Sequence, residues 1–251
     1  MGFYDGQLQP LSVVYENLLT DIYKDVLGRE PTKQEIKKAD TNKIVLTGKL
    51  KPEIDKVVYS QEAYNRIAQL DKAIMGHDVS ESTIRDQQSQ LSQFNFITYD
   101  KSPAYVSRVS TMSDIRNDFA FSPSVREAVV NMLTNMGVNP SEQDITWSQD
   151  RFAEGKDAQW VRYEHAHGYH GDYAARQLMS SILGRAATDG DSGWLNAMKD
   201  GLGNGMTYQQ LLSQEAHGFL GDYAAKELLQ KIYGRSATDS DTAWLNMVKY
   251  G

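Results

Sequence analysis

Cysteine is absent from all 251 residues, which excludes disulfides, Cys-based zinc sites and thiol catalysis. Long apolar runs are missing too, and none approaches the roughly 20 residues that a membrane-spanning helix needs. The opening MGFYDGQLQP has neither a charged n-region nor an apolar h-region, so no Sec-type leader is expected. Position six lacks the Ser/Thr that myristoylation prefers. Basic charge is the scarcer sign: 26 Lys and Arg face 33 acids, for a net charge of -7 and a pI near 5.3. Nucleic-acid and anionic-membrane surfaces need a basic footprint, and no run of Lys/Arg supplies one. No nucleic-acid partner and no transmembrane segment are expected. The absence of cysteine fits a cytosolic protein, and equally a bacterial protein exported by an uncleaved C-terminal signal.

What is present is a repeated phrase. A glycine closes an apolar stretch and a Ser or Thr follows four residues later: Gly28/Thr32, Gly76/Ser80, Gly137/Ser141, Gly184/Thr188 and Gly234/Thr238. In four of the five an acid stands three residues further on, as Glu35, Asp144, Asp191 and Asp241. Glycine accepts the left-handed conformation that ends a helix. A Ser/Thr followed by an acid approximates a capping box that opens the next helix. The phrase therefore predicts helix end, turn, helix start. Successive glycines stand 48, 61, 47 and 50 residues apart. Aligning Ala166–Gly201 with Ala216–Gly251 gives 21 identities in 36 positions, including His167/His217, Gly171/Gly221, Arg185/Arg235 and Trp194/Trp244. Such similarity indicates duplication, so shared residues are read as structural.

The expected fold is all-α: about five repeats of roughly 50 residues stacked as a solenoid-like single module, the last unit incomplete. Residues 1–123 would hold units one and two, and residues 124–251 units three to five. Val14, Leu18, Ile22 and Val26 place an apolar stripe on a helix over Val13–Leu27. A second helix is expected from Thr32, and a third over Lys51–Tyr64 that ends in SQEAY. FNFITYDKSPAY (Phe94–Tyr105) reads as an irregular insertion in unit two. GLGNG (Gly201–Gly205) reads as a flexible turn before a helix that ends at SQEAH (Ser213–His217). Because unit five stops at Gly251 halfway through its pattern, the chain is expected to be the front part of something longer, or a piece cut from it.

Chemistry-bearing residues gather in WVRYEHAHGYHGDY (Trp160–Tyr173). His165, His167 and His170 with Glu164 and Asp172 suggest a metal site. Only His167/His170 has helical ligand spacing, and His167 recurs as His217, so the simpler reading is a helix-end histidine with local hydrogen bonds. Asp189-Gly-Asp191-Ser-Gly193 starts like a calcium loop, but Trp194 and Asp200 stand where such a loop needs Gly and Glu. No metal or other cofactor is expected in this segment. Trp194 and Trp244, with Trp147 at the same offset from its cap, read as core residues at each repeat interface. Trp160 has no repeat counterpart. With Tyr163, His165, Tyr169, His170 and Asp172 it forms an aromatic and polar set of the kind that stacks on sugars, against the alternative of ordinary packing. No GxSxG, P-loop or Rossmann glycine pattern is present, and no acid pair stands in an apolar setting, so no catalytic residue is nominated.

LLTDIYKDVLGREPT (Leu18–Thr32) resembles the LYRDVLGREPD opening of a helical repeat, a domain of unknown function, found in secreted and often RTX-associated bacterial surface proteins. LLQKIYGRSATDSDTAWLNMVKYG (Leu228–Gly251) resembles the same unit, and SQEA at Ser60–Ala63 and Ser213–Ala216 matches its closing region apart from a shifted aromatic. The arrangement also resembles the N-terminal anchoring modules of surface-layer proteins exported by type I secretion. Units one, four and five carry the resemblance well, unit three in part and unit two poorly. The resemblance implies a secreted protein on the outer face of the outer membrane, with calcium-binding β-rich repeats elsewhere in the full-length chain. It further implies a helical front that binds cell-surface polysaccharide or lipopolysaccharide, beside neighbouring copies in a lattice. The sequence-based expectation is thus a non-enzymatic surface-anchoring module. The alternatives are a protein–protein or self-assembly scaffold and a polysaccharide-active enzyme.

Overall fold

The computed structural model describes residues 2–4, 7–39, 50–97 and 105–250. Residues 98–104, inside the expected insertion, and Gly251, where unit five was expected to stop, lie outside the described residues. Among the described residues the fold is all-α in class, with fourteen α-helices and two short hairpins. No described helix is long and apolar enough to cross a membrane. The chain divides into two compact units. The first is Met1–Val125 with Phe152–Gly155, and the second is Arg126–Arg151 with Lys156–Gly251.

In the first unit, α1 (Leu11–Ile22) runs directly into a π-helical turn, Tyr23–Leu27. The apolar stripe predicted there is buried: Val14, Leu18, Ile22 and Val26 are all 5% exposed or less. α2 (Lys33–Ala39) follows the turn, then α3 (Leu50–Val58), α4 (Gln61–Met75), α5 (Glu81–Leu91) and α6 (Met112–Ala120). Ile54, Val58, Ile67, Leu91 and Ile115 from these helices close over Leu19 and Ile22 to make one core. α7 (Pro123–Asn135) begins at the end of this unit.

Two expectations fail here for local reasons. SQEAY does not end a helix. Ser60 takes an extended backbone, and its hydroxyl accepts the Ala63 N–H at 3.1 Å, so the phrase opens α4. The same letters at Ser213–His217 do close a helix, because Thr207 has already capped it one turn and a half earlier. Phe94–Tyr105 is not simply irregular: β3 (Phe94–Ile97) and β4 (Tyr105–Arg108) pair antiparallel, Phe94 opposite Arg108 and Phe96 opposite Val106. β1 (Gly2–Tyr4) and β2 (Gln7–Gln9) form the other hairpin.

The second unit holds α8 (Glu142–Ala153 in part), α9 (Ala158–His167), α10 (Tyr169–Leu183), α11 (Ser192–Gly203), α12 (Tyr208–His217), α13 (Phe219–Tyr233) and α14 (Thr242–Tyr250). α9, α10 and α11 pack on one another, α12, α13 and α14 do likewise, and α10 touches both α12 and α13. The duplication shows in the corner between α9 and α10. A Cβ on Gly171 would overlap the Ala166 carbonyl, and one on Gly221 would overlap that of Ala216. The expected turn GLGNG is half helix: α11 runs through Gly203, and Asn204 and Gly205 make the turn, Gly205 with φ 101°. Gly201 sits inside the helix because Leu211 leaves no room for a side chain, 2.6 Å from where a Cβ would stand.

Candidate functional site

The repeated turn forms as the sequence predicts. Gly28, Gly76, Gly137, Gly184 and Gly234 are all left-handed, with φ between 65° and 80°. In the four turns that carry one, the acid three residues after the Ser/Thr reaches back. Glu35 accepts the Thr32 N–H at 2.6 Å, Asp144 that of Ser141 at 2.8 Å, Asp191 that of Thr188 at 2.7 Å and Asp241 that of Thr238 at 2.8 Å. In three of the four, the arginine just after the glycine completes a bidentate clasp. Arg29 donates to both oxygens of Glu35, Arg185 to both of Asp191 and Arg235 to both of Asp241, all within 3.1 Å. These clasps hold the Asp191 and Asp241 carboxyls far below the usual range, the Arg contact being the leading cause. Asp191 is thereby used up, and the calcium-loop resemblance of its segment is a capping box.

Unit three departs from this pattern. Val138 stands where the arginine would be. Asp144 instead accepts a hydrogen bond from His170 Nε2 at 2.7 Å, which arrives from α10. Burial pushes the Asp144 carboxyl up, but the Ser141 hydroxyl, His170 and the Ser141 amide outweigh it and bring it down to about 2. Beneath this pair lies a second one. Ser148, wholly buried, donates its hydroxyl to the Asp144 carbonyl at 2.9 Å and takes His165 Nε2 at 2.8 Å. With the serine proton on the carbonyl, His165 must donate through Nε2–H. Burial, with the nearby His170 adding to it and Asp144 opposing, pushes His165 down to about 4.

Aromatic rings surround these groups. Trp147 stacks on Trp160, with ring centres 6.2 Å apart and planes at 20°, and meets the edge of His165 at 4.9 Å. Arg151 lies over Trp147 and Lys156 over Trp160, so two cations flank the pair. Tyr169 abuts His170 at 5.7 Å and is 81% exposed. Gln143, Asp144, Trp147, Glu164, His165, Tyr169 and His170 line one cleft of about 260 Å³. The side chains of Gln143 and Glu164 make no hydrogen bond among the described residues, so an amide and a carboxylate face the cleft unengaged.

Of the six residues nominated from sequence, the structure brings His165, Tyr169 and His170 into this cleft, while Trp160 stacks on Trp147 without lining it. Tyr163 turns to the other side of α9, where it stacks on His167 at 4.0 Å. Asp172 pairs with Arg176 at 2.7 Å and Lys199 at 3.8 Å and does not reach the cleft. His165 is in the cleft but 6% exposed, so it supports the other groups from below. His167 bonds the Tyr163 carbonyl one turn earlier, the local bond expected of a helix-end histidine, and also reaches Asp200 on α11. No three His, Asp or Glu side chains converge as metal ligands would among the described residues. Trp147, Trp194 and Trp244 are half-buried and each meets an aromatic ring, which is less than the full burial expected of core residues. Sequence reasoning missed Gln143, Asp144 and Trp147 as site residues. One signal pointed there: Val138 breaks the arginine pattern and frees the box acid of unit three for another partner.

The chain matches no protein-family model, no curated protein and no solved structure at a significant level.

Proposed function

We propose that this chain is a non-enzymatic surface-anchoring module that binds glycan in the cleft among α8, α9 and α10, on a solenoid-like stack of about five units of the repeat. The observation that carries this is the pairing of the exposed Tyr169 ring with unengaged planar polar groups in one cleft. Tyr169 offers an exposed apolar face for the C–H face of a sugar, Trp147 lines the cleft beside it, and Gln143 and Glu164 can bond its hydroxyls. The His170–Asp144 and His165–Ser148 pairs hold the cleft's walls in register. The resemblance to secreted surface-protein repeats supports polysaccharide, and lipopolysaccharide in particular, as the ligand class. A secreted location on the outer membrane's outer face, and calcium binding elsewhere in a longer protein, belong to the same reading.

The test is a glycan array and a lipopolysaccharide pull-down with the whole chain. Binding is expected at millimolar ligand or below, and Tyr169→Ala should weaken it several-fold, in line with about 0.5–1.5 kcal/mol for a ring contact. Absence of binding at millimolar ligand removes the anchoring function.

A second reading, a scaffold that assembles with copies of itself, is favoured by the far end of the repeat. Leu228 and Val248 are 41% and 39% exposed, although their counterparts Leu178 and Met198 are buried at 0% and 1%. Self-association in analytical ultracentrifugation without glycan binding would favour this reading.

A further inference from the structure

In the first unit, a cavity of about 450 Å³ opens between the π-helical turn, α4 and α6. Its wall carries three cations, Lys24, Arg66 and Arg116, and one acid, Asp25, together with Gln69 and Ser113. Asp25 is already neutralised. Its Oδ2 forms an ion pair with Arg108 at 2.7 Å and accepts the Met112 N–H at 2.9 Å. The three cations are less well matched. Arg66 donates through Nη1 to the Asp25 carbonyl at 2.6 Å, an acceptor with no formal charge. Lys24 pairs with Glu30 at 3.0 Å, but the two side chains are 51% and 73% exposed, and such a pair is easily given up. Arg116 is half-buried and has no ion pair or hydrogen bond among the described residues. Asp21 lies close enough to Lys24 to feel its charge, but it is not part of the wall.

A half-buried guanidinium without an acceptor, as Arg116 is, is costly, because it presents five donors that water cannot fully reach. Holding Lys24 and Arg66 around the same space adds mutual repulsion. An anion removes both costs at once. We infer that the cavity bounded by Lys24, Arg66 and Arg116 is a binding site for a compact phosphate-type oxyanion, either free phosphate or a phosphomonoester. Two guanidinium forks suit the tetrahedral oxygens, Lys24 adds a point charge, and the Ser113 hydroxyl and Gln69 amide add neutral donors. The space exceeds a phosphate alone, so the group attached to a phosphomonoester fits. A linear search for basic clusters misses this site, since its cations come from positions 24, 66 and 116 in a chain of net charge -7.

The test uses isothermal titration and circular-dichroism melting of the whole chain at fixed ionic strength. The probes are sodium phosphate, glucose 6-phosphate, glucose and sodium chloride. Phosphate and glucose 6-phosphate should bind one per chain and raise the melting temperature above the chloride control, while glucose should do neither. Arg116→Ala should weaken both at least about tenfold, the loss expected of a charge-assisted contact. Its unliganded spectrum should match wild type, because Arg116 supports no other described group, and Arg116→Lys should recover part of the binding. Tyr169→Ala should leave phosphate binding intact, which separates this site from the glycan cleft. Tighter binding of glucose 6-phosphate than of phosphate assigns the site to a phosphomonoester, and equal binding assigns it to the free anion. No gain over chloride, binding of glucose as tight as its phosphate, or unaltered binding by Arg116→Ala would each overturn the assignment.

Discussion

The acid of each turn has two tasks: it caps a helix and it answers a cation, and the choice of cation separates the turns. Asp191 accepts from the Thr188 amide and hydroxyl while Arg185 holds both its oxygens, and its side chain is only 6% exposed. Removing it takes the shared acceptor from the Thr188 amide and hydroxyl and from the Arg185 guanidinium together. Asp191→Ala is therefore expected to cost about 2–3 kcal/mol, the sum of a lost cap and a broken charged contact. Urea unfolding followed by tryptophan fluorescence measures this, and a loss under half a kilocalorie would show the clasp to be ornamental. His170→Ala should behave differently. Asp144 keeps its bonds to Ser141, so the helix stays capped, while the cleft loses one wall. Glycan binding should fall several-fold with little change in stability. The same carboxylate sets an acid limit. Its pKa of about 2 lies below the unfolded value near 3.9, so its contribution is complete above pH 4 and is lost as pH falls towards 2.

At the level of helices, the duplication allows one position to be tested in two environments. Leu178 in α10 and Leu228 in α13 occupy the same place in their repeats, yet the first is fully buried and the second 41% exposed. α12 and α13, from the following repeat, pack on α10, whereas among the described residues no following repeat packs on α13. Leu178→Ala should cost about 2–5 kcal/mol and Leu228→Ala about 1 kcal/mol or less, read from urea midpoints at unchanged slope. Equal costs would mean that the α13 face is covered in solution, which sedimentation would reveal as self-association. The contrast also marks what the sequence could express. Helix ends and capping boxes were legible at Gly28/Thr32, Gly137/Ser141, Gly184/Thr188 and Gly234/Thr238, because each is decided within eight residues. The SQEA phrase misled, since whether Ser60 caps or Ser213 merely rides inside a helix depends on where the previous turn fell. The Phe94–Arg108 hairpin was hidden because one strand's pairing is set by the other. The cleft was legible only on its α9 and α10 side. Gln143, Asp144 and Trp147 enter it from α8 across a tertiary contact that no spacing within Trp160–Tyr173 encodes.

Over the whole molecule, two buried titratable groups pull the units in opposite directions with pH. Asp71, in the first unit, is fully buried; Gln87 donates to one oxygen at 3.2 Å and the other has no partner among the described residues. Burial pushes its carboxyl up to about 7, with Gln87 opposing. The unfolded value lies near 3.9, so between pH 4 and 7 the native state holds the extra proton and stability falls as pH rises. His165, in the second unit, has the reverse linkage. Its native value of about 4 lies below the unfolded 6.5, so in that window the unfolded chain holds the extra proton and stability rises with pH. Acidifying from pH 7 to 5 should thus stabilise the first unit and destabilise the second, each by at most about 2–3 kcal/mol. The composition supplies a reporter, because Trp147, Trp160, Trp194 and Trp244 are the only tryptophans and all lie in the second unit. Tryptophan fluorescence should melt several degrees lower at pH 5 than at pH 7, while the part of the circular-dichroism transition that fluorescence does not see moves up. Asp71→Asn should flatten the latter and leave the former, and His165→Asn should do the opposite. Shifts in the same direction, or an Asp71→Asn variant with unaltered pH dependence, would show that some other group governs the acid response.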